Sequence, residues 1–346
     1  MISKLKLLVK RLVGKVVYSY TYIKNNISTK YRKLKKSKSL LDIITSLLKQ
    51  WKTSSLILLG IIFAYYGIGA YISSNINNNL NHNINIDKKN SRYATHYLIY
   101  TLKSQIDDAP WTPSLPLIFP ASILDNVPNF QLGSKDGAQY IVKKMSATYL
   151  DPSLKTAGHL LDYPANIWLF SQDKNDKLSP GSAKQYRKAI GDLTEFSKKE
   201  NIHHAPSIPH LLSQLKAIDN LLTKQLTKID KHSLEHSSDI INIRNDDVFY
   251  YIQGVLYTSY YYLLGLSKDY QDLIVENELY DEITVALKTI QKAIELNPTF
   301  VKNASLNKAF SANHLIYLAY HISKAQNHIK NISTSIKSNT QKEILL

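Results

Sequence analysis

A chain of 346 residues, 44% of them hydrophobic, is long enough for about two domains and a sizeable core. It has no cysteine, which excludes disulfides, Cys-ligated zinc and thiol catalysis. Its formal charge of +16 is unevenly placed: residues 1–52 hold 14 Lys/Arg and the single acid Asp42, and the rest holds 29 Lys/Arg against 26 acids.

The strongly basic segment comes first. In "MISKLKLLVKRLVGKVVYSYTYI" the apolar positions 5, 8, 9, 12, 13, 16 and 17 form one helical face, and Lys4, Lys6, Lys10, Arg11 and Lys15 cover much of the remainder. "KYRKLKKSK" (30–38) adds Arg32 and Lys33 within a dense positive run. "SLLDIITSLLKQW" (39–51) predicts a second amphipathic helix, with Ser39 and Asp42 at capping-box spacing. Beside a membrane, such an arm suits an anionic inner leaflet, at about 1 kcal/mol per nearby cation. The surface residues assigned to lipid are Lys4, Lys10, Arg11, Lys15, Arg32 and Lys33. No nucleic-acid recognition motif accompanies the charge, so nucleic acid is not an expected partner.

Residues 53–73 read as a transmembrane signal anchor. From Ser54 to Ile72 no residue is charged. As a helix this run is about 28 Å long, close to the hydrocarbon thickness of about 30 Å. Trp51 and Tyr71 fall near its ends, where amphipathic rings favour the interface. Lys49 and Lys52 precede it and no charge follows until Asp87, so the positive-inside rule places the N-terminus in the cytoplasm. More than fifty residues precede the run, too many for the n-region of a cleaved signal peptide.

The Asn-rich residues 74–92 predict a flexible tether. An all-α domain is expected over 93–331, of six to seven helices with a proline-rich loop, and residues 332–346 are expected to be a disordered tail. "SRYATHYLIYTLKSQID" begins the domain. Residues 108–130 hold five prolines and cannot form one regular element. "GAQYIVKKMSATYL" predicts a short helix. A further helix is expected with Ser179 as cap and Pro180 at its first position. "PHLLSQLKAIDNLLTKQLTKI" is strongly amphipathic, and helices near 246–267, 278–296 and 311–331 complete the domain. "AIELNPTF" ends a helix and lacks the recurring unit of about 34 residues that a tetratricopeptide array requires.

Chemical motifs are sparse. "HSLEH" (232–236) has the spacing of inverted zinc proteases, but its flanks are polar and no acid lies between Glu295 and Glu343 to complete a ligand set. His314, His321 and His328 recur every seven residues, about 10 Å apart along a helix, too far to share one metal ion. His159 and Asp162 come without a nucleophile motif. No catalytic, metal or cofactor residue is assigned.

"DDVFYYIQGVLYTSYYYLLGL" (246–266) is read as the central helix. Asp246 and Asp247 sit in its first turn, where the helix dipole favours acids. Tyr250, Gly254, Tyr257 and Tyr261 form a core stripe, with Gly254 and Gly265 allowing close helix approach. The interaction loop is placed in the proline-rich segment, at Trp111, Asp125, Asn126, Pro128, Asn129 and Phe130, where Asp and Asn side chains can lock a turn.

"LDNVPNFQLG" (124–133), "SAKQYRKAIGDLTEF" (182–196) and "DDVFYYIQGVLYTSYYYLLGL" together resemble a bacterial family of single-span envelope proteins, domain-of-unknown-function family 2333, over roughly residues 93–331. Where the family's pattern has Trp and then an acid, this chain has Phe130 and Gln131. The resemblance implies a Gram-negative inner-membrane protein and carries no activity with it. The resulting expectation is a non-enzymatic, inner-membrane-anchored protein whose periplasmic domain binds an envelope protein or cell-wall component. The alternatives are an enzyme acting on cell wall or lipid, and a lipid- or solute-binding module.

Overall fold

The computed structural model describes residues 40–86, 91–172, 178–200, 206–235, 244–298, 301 and 313–345, with Gly14, Lys15, Val17, Ser19–Tyr22 and Lys24 from the arm. The chain divides into two compact units, residues 1–65 and 66–346.

Helix α1 spans Leu40–Ser73, so the predicted amphipathic helix and the apolar run are one continuous element. Its stretch Thr53–Ser73 is long and apolar enough to cross a membrane, and none of its most apolar window is buried. Leu56, Leu58 and Phe63 are all more than half exposed. The hydroxyls of Thr53 and Ser55 bond back to the carbonyls of Lys49 and Trp51, four residues earlier, so these donors are satisfied within the helix.

Among the described residues the second unit is helical, as expected, apart from one short hairpin, but it has nine helices instead of six to seven. In chain order it contains α2 (Tyr93–Ile106), α3 (Asn126–Tyr149), α4 (Pro152–Leu161), the antiparallel pair β1 (Phe170–Gln172) and β2 (Leu178–Pro180), α5 (Ser182–Ser197), α6 (Ile208–Glu235), α7 (Arg244–Asp269), the short α8 (Gln271–Glu276), α9 (Tyr280–Ile294) and α10 (His314–Leu345). Two 3-10 turns, Thr112–Ser114 and Pro120–Ile123, carry the proline-rich segment.

The Tyr-rich α7 is central. Phe249, Ile252, Leu256, Tyr257, Tyr261 and Tyr262 are almost fully buried, and Tyr250 nearly so. Its main partner is α3, and the approach of the two backbones depends on glycine. A Cβ at Gly254 would collide with the Phe130 carbonyl, and one at Gly133 with the Tyr251 carbonyl. Gly265 does the same for α2, where a Cβ would strike Ala94. The tyrosine hydroxyls find partners at the margins, as buried phenols require. Tyr262 donates to Gln214 Oε1 at 2.9 Å and Tyr261 to the Asn79 carbonyl at 2.7 Å.

Two helix ends are capped from α7. The Asp269 carboxylate accepts from the amides of Tyr93 and Ala94 at the start of α2. Gln253 Nε2 donates to the carbonyls of Ala293, Ile294 and Leu296 at the end of α9. Each satisfies backbone groups that a helix terminus leaves unpaired.

Four further expectations are corrected. Residues 76–86 are not a free tether. Ile76, Leu80 and Ile84 pack against the core, Asn77 exchanges bonds with Ser104 and Gln105, and the His82 ring stacks on Tyr100 at 3.9 Å. The tail is helical, because the apolar stripe Leu315, Leu318, Ile322, Ala325, Ile329 continues to Ile332 and Ile336, all buried. Ser179 and Pro180 belong to β2, and α5 starts at Ser182 behind a Gly181 cap. The predicted short helix from Gly137 is the second half of the 24-residue α3.

Candidate functional site

Helix α3 sets Asp136, Tyr140, Lys143 and Lys144 along one face by their i, i+4, i+7 and i+8 spacing. Helix α6 brings Lys224 and Lys228, one turn apart, and α7 brings Tyr251. These strips meet around an open cleft of about 600 Å³. Lys228 Nζ lies 3.3 Å from the centre of the Tyr251 ring and Lys224 Nζ lies 4.1 Å from that of Tyr140. Desolvation holds the Lys228 ammonium below the usual lysine range, against the opposing charge of Asp136.

Both acids of the cleft already have partners. Asp136 accepts from Tyr251 Oη at 2.9 Å and pairs with Lys135. Asp162 accepts from Lys143 Nζ at 3.0 Å and from Gln139, and these hydrogen bonds lower its pKa. What the cleft offers is a set of ammonium groups held against aromatic faces, a chemistry suited to anionic groups. Sequence reasoning missed it, because its residues come from three helices. The available signal was the i, i+4 pairing of Tyr140 with Lys144 and of Lys224 with Lys228.

The predicted interaction residues are placed differently. Asp125 stands at the N-cap position of α3, makes no side-chain capping bond and is exposed, and Asn126, Pro128, Asn129 and Phe130 form the first turns of that helix instead of a loop. Trp111 and Phe130 are buried: the Trp111 indole donates to the Ala165 carbonyl and packs edge-on against Tyr186, and Phe130 rests on Tyr257. Asn129 Nδ2 donates to the Asp125 carbonyl and, at 2.6 Å, to Asp247 Oδ1. Asp246 accepts from the Val301 amide at 3.1 Å. The two first-turn acids of α7 therefore tie neighbouring elements together. Burial raises the pKa of both, and the nearby charge of Asp125 adds to the effect.

Gln131, the residue after Phe130, is buried. Its Oε1 accepts from the Thr112 amide and hydroxyl, and its Nε2 donates to the carbonyls of Gln105 and Pro110. His232 is bonded to Asn245 Oδ1 at 2.6 Å, and His236 lies outside the described residues. His321 is buried against Tyr317 and Tyr320, while His328 bonds Glu282. Among the described residues no three His, Asp or Glu side chains are grouped to hold a metal ion. Of the arm cations assigned to lipid, Lys15 is helical and exposed, and Lys4, Lys10, Arg11, Arg32 and Lys33 lie outside the described residues.

No model of a known protein family matches the chain, and neither the curated proteins nor the solved structures provide a match.

Proposed function

We propose that this chain is a single-span, membrane-anchored binding module, with its basic arm on the cytoplasmic leaflet of a bacterial inner membrane and its helical domain in the periplasm. The domain binds an envelope partner that presents an anionic group, such as a phosphate- or carboxylate-bearing polymer or an acidic protein segment. The observation that carries the binding role is the cleft, where Lys224 and Lys228 lie against Tyr140 and Tyr251. Support for anchoring comes from the length and exposure of Thr53–Ser73 and from the charge of the arm before it. The resemblance to family 2333, which rests on the three segments quoted above, points the same way.

A photo-crosslinking residue at position 144, in cells, tests the binding role. One or a few discrete adducts are expected, reduced at least several-fold by Lys224→Glu with Lys228→Glu in a chain that still folds. Adducts that are absent, or insensitive to charge reversal, would sink it.

A further inference from the structure

The second unit carries an exposed apolar surface that its own fold does not cover. Leu117 is 76% exposed, Leu169 58%, Phe170 63% and Leu178 68%. They lie on the proline-rich loop and the β1–β2 hairpin, which meet where Phe119 packs edge-on against Trp168 at 5.6 Å. Phe170 and Leu178 share one hairpin face, because Phe170 pairs with Pro180 and Gln172 with Leu178. No charged residue occurs from Ala109 to Leu124 or from Tyr163 to Gln172. Other exposed hydrophobics of the unit, such as Leu150, Leu234 and Val275, belong to separate helix ends.

The loop also touches the last turns of α1. Tyr66 Oη donates to the Leu117 carbonyl, and a Cβ at Gly69 would collide with the Pro120 ring. Gly69 and Tyr66 lie four and seven residues before the helix end at Ser73, or about 6 and 10 Å along the axis. That is the depth to which interfacial apolar groups enter the boundary between headgroups and acyl chains. Whatever solvent surrounds the end of the apolar helix therefore surrounds this loop as well.

We propose that the proline-rich loop and the β1–β2 hairpin form a lipid-inserting surface that seats the helical domain on the outer face of the bilayer. Leu117, Phe170 and Leu178 enter the acyl boundary, and Trp168 takes the interfacial position that indole rings favour. The proposal rests on reading Thr53–Ser73 as a membrane span. It then changes the picture of the domain from a body on a tether to one lying on lipid.

The chain has no cysteine, so single-Cys labelling is direct. The full chain is reconstituted in phosphatidylethanolamine/phosphatidylglycerol nanodiscs with a spin label at Phe63→Cys, Leu117→Cys, Phe170→Cys, Leu178→Cys or Leu150→Cys. Collision with oxygen and with a water-soluble nickel chelate reports depth. Phe63 calibrates the span, and Leu150, 82% exposed at the far end of α3, calibrates water. The expected result is that labels at 117, 170 and 178 favour oxygen over nickel, as at 63, and that 150 shows the reverse. Labels at 117, 170 and 178 that favour nickel while 63 favours oxygen would overturn the seating and leave the anchor intact. Labels at these sites shielded from both reagents would overturn it in favour of a protein-covered face. A label at 63 that favours nickel would overturn the span and the seating together.

Discussion

Buried polar side chains set several local features of the domain, and Glu200 carries a marked pH signature. It is buried, with Oε1 3.9 Å from Arg92 Nε. Burial pushes its carboxyl up to about 8, against the attraction of Arg92. Because the folded value exceeds the ordinary 4.5, this group's contribution to stability is full below about pH 4.5 and is lost as pH rises through about 8. Glu200→Gln removes that titration. Its melting temperature should match the wild type at pH 5 and exceed it by about 3 °C or more at pH 8.5. Thermal melts of both proteins at the two pH values check this, and an equal difference at both would contradict it. Gln131 shows a residue-scale role that the sequence did not disclose. Its amide bonds both ways between the proline-rich segment and the end of α2. Those partners are 19 to 26 residues away, beyond any local motif.

Helices were largely legible because their apolar periods are long, and their crossings were legible where glycine interrupts a bulky stripe. Gly254 in the Tyr-rich helix was read as a close-approach position, and it lies against the backbone of α3. The start of α3 was not legible, because Pro128 lies where proline usually marks a loop, whereas here it falls in the first turn, whose amides have no helical partner. The end of α10 was missed because Ser, Asn and Thr dilute the stripe that Ile332 and Ile336 continue. The crossing makes a paired prediction. Gly254→Ala gains about 1 kcal/mol of helix propensity but drives a methyl into the Phe130 carbonyl and the Ser134 amide, so a net loss of about 1–3 kcal/mol is expected. Gly191→Ala, in α5 with nothing within 4 Å of a new Cβ, should gain about 0.5–1 kcal/mol. Denaturant melts of the two variants should move in opposite directions. A shift of the same sign in both would show that the α3–α7 approach is loose enough to absorb a methyl.

For the molecule as a whole, the Asn-rich segment is where composition and structure disagree. Its composition predicted a tether because asparagine buries little apolar surface. Ile76, Leu80 and Ile84 lie four residues apart and each meets the core, while Asn77 Nδ2 donates to the Ser104 carbonyl and the Asn79 carbonyl accepts from Tyr261. A segment held in this way belongs to the fold of the second unit. Replacing all three residues, Ile76→Ser with Leu80→Ser and Ile84→Ser, should remove about 1 kcal/mol for each half-buried side chain. The variant should melt several degrees lower and should lose protection from amide hydrogen exchange across residues 76–86. If the segment is a free tether, both measurements will equal the wild type. In the nanodisc experiment the same variant separates two sources of seating. Labels at 117, 170 and 178 that stay in lipid would mean that insertion alone holds the domain down. Labels that move into water would mean that the packed segment positions the loop before lipid engages it.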